Sequence, residues 1–158
     1  MNKYKYLLRE YARNILENIG KINFDANDNY IKGQFFTYYE ILENIKHSAF
    51  ISKIQLKELG LDKFDSTKLL HIDINSNKYQ IVKKFINEWD PYDFISSGAP
   101  DDEFENEIKV ICYKIESKNS IKDIACIVSD VFTKKFEDIH FSIDSCMGIA
   151  EKIKNGIE

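Results

Sequence analysis

The sequence predicts an all-α protein, a compact bundle of about six helices in which an N-terminal helical pair packs on a C-terminal four-helix bundle. Three observations lead to that class. Apolar residues return at intervals of three and four along segment after segment. Capping residues and prolines stand at the ends of those segments. The one alternating stretch, in which Leu70, Ile72 and Ile74 flank His71 and Asp73, is short and has no evident strand to pair with. It is read as a helical turn followed by an extended connector. The expected division is an N-terminal helical region over 1–74 and a C-terminal bundle over 76–158.

In the first region, Tyr4, Leu7, Leu8, Tyr11, Ala12, Ile15 and Ile19 share a helical face, and Gly20 follows as a C-terminal cap. The next residues, "KINFDANDNY", are rich in Asn and Asp, which favour turns. Ile31, Phe35, Tyr38, Leu42, Ile45 and Ala49 then form the clearest stripe in the chain, widened by Phe36 and Tyr39. "ISKIQLKELG" continues or restarts that helix as far as Gly60, and Asp65 is a candidate N-cap.

Four more helices follow Ser76. Tyr79, Val82, Ile86 and Trp89 make one face, stopped at Asp90-Pro91 because a residue before proline is pushed out of the helical region. Pro100-Asp101 opens the next, with Asp102, Glu103 and Glu105 in its first turns, where the helix dipole favours negative charge. Its apolar face is Phe104, Ile108, Ile111, Cys112 and Ile115. Ser120 and Asp123 have the spacing of a capping box ahead of Ile121, Ile124, Ala125, Val128, Val131 and Phe132. Ser142 caps a last helix carrying Ile143, Cys146, Met147, Ala150 and Ile153, closed by Gly156.

At 158 residues the chain is long enough to bury a core as one domain or as two small ones. Its 44% apolar and 30% charged residues belong to the globular range. The net charge of −4 is unevenly placed: residues 1–79 carry twelve Lys and Arg against ten Asp and Glu, and residues 80–158 carry ten against sixteen. No basic stripe interleaved with aromatics marks a nucleic-acid reader. The first residues lack the apolar run of a signal peptide, and no window approaches the roughly 18 apolar residues of a membrane span, so a cytoplasmic protein is expected. Cys112, Cys126 and Cys146 form no C-x-x-C pair and fall on apolar stripes, where free cysteine acts as a small hydrophobe.

The stretch "WDPYDFISSGAPDDEFENEI", residues 89–108, holds the only Trp, both Pro and seven carboxylates, and no Lys or Arg lies between Lys84 and Lys109. Capping explains Pro91, Pro100 and Asp101. It does not explain the rest, and the surplus carboxylates are expected to form a negative patch that meets a basic partner, or else a solvated acidic face. The partner-binding residues expected from this are Trp89, Asp90, Tyr92, Asp93, Asp101, Asp102, Glu103 and Glu105.

A metal reading of these carboxylates does not match the calcium-loop spacing, and no nearby His supports a transition metal. His47, His71 and His140 are scattered, and phosphate-loop, dinucleotide and nucleophile-elbow glycine patterns are absent. No catalytic residue, cofactor or metal ligand is assigned. The run Phe35, Phe36, Tyr38 and Tyr39 is read as core in preference to a pocket lining.

"NEWDPYDF" followed by "GAPDDEFENEI", with "CMGIAEKI" near the end, resembles the small bacterial family known as domain of unknown function 1871, over residues 76–158. The matching positions are Trp89, Asp90, Pro91, Ala99, Pro100, Asp102, Glu103, Phe104, Glu107, Ile108, Cys146 and Ala150. The resemblance implies a compact helical bundle with no established activity. "GQFFTYYEILENIKHSAF" and "LKELGLDKFD" resemble a helical segment of other uncharacterised bacterial proteins. By analogy with small acidic proteins that accompany toxins, the leading expectation is a non-enzymatic, immunity-type module that binds a basic protein, with no nucleic-acid or membrane partner. The rival expectation is a small-ligand or enzymatic domain with a pocket between the halves. A homodimer that buries the apolar stripes is a third.

Overall fold

Local capping sets the ends of several helices of this chain. The computed structural model describes residues 3–25, 27–136 and 141–158, and all regular structure among them is helical. These residues form α1 (Lys3–Ile19), α2 (Asn29–Ile51), α3 (Leu56–Leu59), α4 (Asn77–Trp89), α5 (Glu105–Lys114), α6 (Ile121–Phe136) and α7 (Ile143–Ile157), with a 3-10 helix at Ser66–Leu70. The all-α expectation is met. The chain divides into two compact units, Met1–His71 and Ile72–Glu158.

In the first unit, Ala12, Ile15, Phe35, Leu42, Ile45, Ala49, Leu59, Leu61 and Leu69 form the buried core. Leu8, Leu16 and Ile19 pack against it, while Tyr4, Leu7 and Tyr11 stay exposed. The apolar face of α1 is therefore wider in sequence than the strip it buries. α2 starts two residues earlier than its apolar stripe, because the Asp28 carboxylate accepts the Tyr30 and Ile31 amides at 2.8 and 3.2 Å.

Its end is set by a motif that carries no glycine. Lys53 takes a left-handed conformation (φ 54°), the Ile54 amide donates to the Ala49 carbonyl at 2.8 Å, and the Lys53 amide donates to Phe50 at 3.0 Å. These are the paired bonds of a Schellman cap, with Ile54 packed on the core behind it. α3 is the restarted turn. Gly60 (φ 75°) closes it in the same way, with the Leu61 amide on the Leu56 carbonyl.

Of the expected aromatic run, Phe35 is in the core and Phe36, Tyr38 and Tyr39 are half-buried. Phe35 also meets the edge of a face-to-face stack of Phe24 on His71, whose ring centroids are 3.4 Å apart.

In the second unit, α4 and α7 pack together, as do α6 and α7, and α5 joins α4 and α6. Val82, Ile86, Phe104, Ile108, Ile111, Cys112, Val128, Phe132, Cys146, Ala150 and Ile153 are fully enclosed. Ser120 and Asp123 form the expected reciprocal cap of α6: the Ser120 amide donates to the Asp123 carboxylate at 2.8 Å and the Asp123 amide to the Ser120 hydroxyl at 3.2 Å. Ser142 accepts the Ser145 amide at the start of α7.

Three boundaries and faces differ from the sequence reading. α5 begins at Glu105, not at Pro100: the Glu103 amide bonds Pro100 and the Glu105 amide bonds Asp102, so two tight turns precede the helix. Asp101, Asp102 and Glu103 thus lie in a lead-in, and only Glu105 and Glu107 occupy the first turn. Gly156 does not stop α7, which continues to Ile157. A β-carbon there would lie 2.8 Å from Ile81 Cγ2 and 3.0 Å from Phe85 Cε2, so this glycine serves the close approach of α4 to α7. Met147 and Ile143, expected on the apolar face of α7, are exposed.

Candidate functional site

The segment between α4 and α5 brings the chain's densest run of carboxylates onto an aromatic floor. α4 ends at Trp89, and Asp90 turns left-handed (φ 37°, ψ 62°), where the bias of a residue before proline would favour an extended one. From there its two carboxylate oxygens accept the Ile95 and Ser96 amides at 3.2 and 2.8 Å. Partial desolvation works against ionisation of Asp90, but the Ser96 and Ile95 amides outweigh it and hold the group below the usual carboxylate range. Asp93 (φ 55°) and Gly98 (φ 103°) supply the two further left-handed turns that close the loop.

Beneath the loop the rings interlock. Trp89 stands edge-on to Phe132 and Phe141 at 5.1 and 5.8 Å. Tyr92 stacks on Phe94 at 5.3 Å and tilts against Phe136 at 4.7 Å. Phe104, fully buried, joins Phe132 at 5.8 Å. Such pairs add about 0.5–1.5 kcal/mol each beyond the area they bury. Trp89 and Tyr92, expected as partner contacts, are half-buried members of this floor.

The expected negative patch is smaller than the count of carboxylates. Charge absent from the local sequence arrives from neighbouring helices: Lys83 of α4 lies 3.2 Å from Asp101, and Lys135 of α6 lies 3.4 Å from the buried Glu107. Glu105 pairs with Lys109 one turn along α5, at 2.9 Å. Asp90 is committed to amides. Asp93, Asp102 and Glu103 remain exposed, with no ion pair to any described residue. The Asn87 side-chain amide donates to the Asp101 carbonyl at 2.7 Å and holds the far end of the loop to α4.

Elsewhere Cys112 and Cys146 are enclosed, Cys126 is half-buried, and His47 and His71 are exposed. Burial pushes the Cys112 thiol up to about 12, against the pull of Lys78, and raises Cys146 as well. His71 is lowered by desolvation in its stack. His140 lies outside the described residues. No group of three or more His, Cys, Asp or Glu among the described residues is placed to hold a metal ion.

One polar cluster was missed from sequence. The buried Ser66 hydroxyl donates to the Glu43 carboxylate and accepts from Lys46 Nζ at 2.7 Å, while Lys46 lies 2.8 Å from Glu43. Ser66 is 1% exposed, so the cluster ties the 3-10 helix to α2 without offering a nucleophile to solvent. Nothing in the local sequence signals it, because its members are twenty or more residues from Ser66. No described helix is long and apolar enough to cross a membrane. Comparison with family models, with curated proteins and with solved structures gave no match.

Proposed function

We propose that this chain is a protein-binding module without catalytic activity, of immunity type, that acts in the cytosol by covering a basic surface of a toxin with its acidic loop. The observation that supports it is the set of Asp93, Asp102 and Glu103, exposed and unpaired among the described residues while their neighbours Asp101, Glu105 and Glu107 all have cations. Unpaired carboxylates of one sign speed the approach of a basic partner. The loop carrying them is held by Asp90, by Asn87 and by the aromatic floor, so little ordering entropy is lost on binding. Kinship of residues 76–158 with the domain of unknown function 1871 family belongs to the same proposal.

Affinity capture from the native host with wild type and an Asp102→Lys/Glu103→Lys variant tests the reading. A basic protein retained by wild type and lost by a variant of unchanged helicity supports it. Equal retention by both removes the loop from the binding surface.

A further inference from the structure

The first unit carries an open groove of about 740 Å³ between α1 and α3, with charge of the opposite sign to the acidic loop. Lys5, Arg9 and Arg13 stand four residues apart along the α1 wall, and Lys57 stands on the α3 wall. Half-buried Leu16 supplies apolar surface, and Leu59 beside it belongs to the core. Of the two carboxylates that line it, Glu17 is exposed and Glu58 is committed. Glu58 gives one oxygen to the Lys5 ammonium and the other to the Gln55 amide, at 3.3 Å, and so fixes α3 against α1. Arg13 is paired with Glu10 at 2.5 Å. Arg9 and Lys57, one on each wall, are exposed and hold no partner among the described residues.

We propose that this groove is a second binding site, for an acidic peptide segment of another protein. The walls supply two uncommitted cations for carboxylates, and Leu16 supplies a partly exposed apolar contact. A nucleic-acid strand fits less well. No aromatic ring is among the residues that line it to stack a base, and two uncommitted cations give a continuous phosphate backbone few contacts. The site differs from the acidic loop in its residues and in the sign of its charge.

Fluorescence anisotropy tests it with three labelled probes of equal length: a helical Glu/Leu peptide, a helical Lys/Leu peptide and single-stranded oligothymidine. Wild type is expected to bind the Glu/Leu peptide, and Arg9→Gln/Lys57→Gln is expected to weaken that binding by about tenfold or more, since two charge contacts are removed. The Lys/Leu peptide reads the acidic loop independently and should not respond to the groove variant. Because Arg9 and Lys57 are exposed, the groove variant is expected to keep the wild-type helicity, checked by circular dichroism. Absence of Glu/Leu binding, binding indifferent to the groove variant, or a preference for the oligonucleotide overturns the proposal.

Discussion

The Asp90 carboxylate accepts the Ser96 amide at 2.8 Å, which ties the end of α4 to a loop residue six positions on. This bond, with its companion to Ile95 at 3.2 Å, is the reason the acidic loop has a fixed shape. Asp90→Ala removes both acceptors and leaves two amides to water. Hydrogen exchange at Ser96 and Ile95 is expected to accelerate strongly, while exchange in α6 and α7 stays at its wild-type rate. Equal acceleration in those helices would mean that Asp90 supports the unit as a whole.

The same residue fixes a pH dependence. Its folded ionisation lies below the ordinary carboxylate value of 3.8, so its contribution is complete above that value and is lost as pH falls through the folded one. The Ser96 amide is expected to keep its protection from pH 5 down to 3.8 and to lose it only as pH falls further, through the folded value. Asp90→Asn is expected to flatten that profile.

His71 acts at milder pH. Desolvation lowers its ionisation from 6.5, so the unfolded chain takes up a proton more readily than the folded one. Stability is complete above pH 6.5 and falls as the solution is acidified from there. Tm is expected to drop between pH 7 and pH 5.5. His71→Asn keeps a side chain that tolerates the left-handed backbone (φ 49°) and is expected to remove that component of the drop.

Gly156→Ala sets two effects against each other. Alanine gains at most about 1 kcal/mol of helix propensity, and less at the last turn. The added methyl must displace Ile81 or Phe85, and overpacking of this kind costs about 1–3 kcal/mol. Overpacking is expected to win, with a net loss of about 1 kcal/mol, and Gly156→Leu is expected to lose more. Chemical denaturation of the three proteins decides it.

Thiol reactivity reports the packing of the second unit. Cys112 and Cys146 are buried with raised ionisation and stay protonated at pH 8, whereas Cys126 is half-buried. A thiol reagent is expected to modify one cysteine quickly in the native protein and all three after unfolding.

The helices were legible because their apolar periodicity and their caps agree. Ser120 with Asp123, Ser142, Asp65 and Asp90-Pro91 all mark true ends. What was missed depends on backbone geometry or on distance along the chain. The break after α2 rests on a left-handed lysine, Lys53, which has no composition signal, unlike Gly60. The reading of Pro100-Asp101 as a helix start failed because two i to i+3 turns intervene before Glu105. At the candidate site, the carboxylates were visible and their cations were not. Lys83 and Lys135 are brought to Asp101 and Glu107 by the packing of α4 and α6 around the loop, which no local window contains.

The role proposed for Asp93, Asp102 and Glu103 is to steer a basic partner onto a prepared loop. Its most direct test is the association rate of a captured partner, followed from low to high ionic strength for wild type and for Asp102→Lys/Glu103→Lys. A wild-type rate that falls by about tenfold or more with salt, and a variant rate that is slow at low salt, is the predicted result. A wild-type rate indifferent to salt, or a variant as fast as wild type, contradicts it.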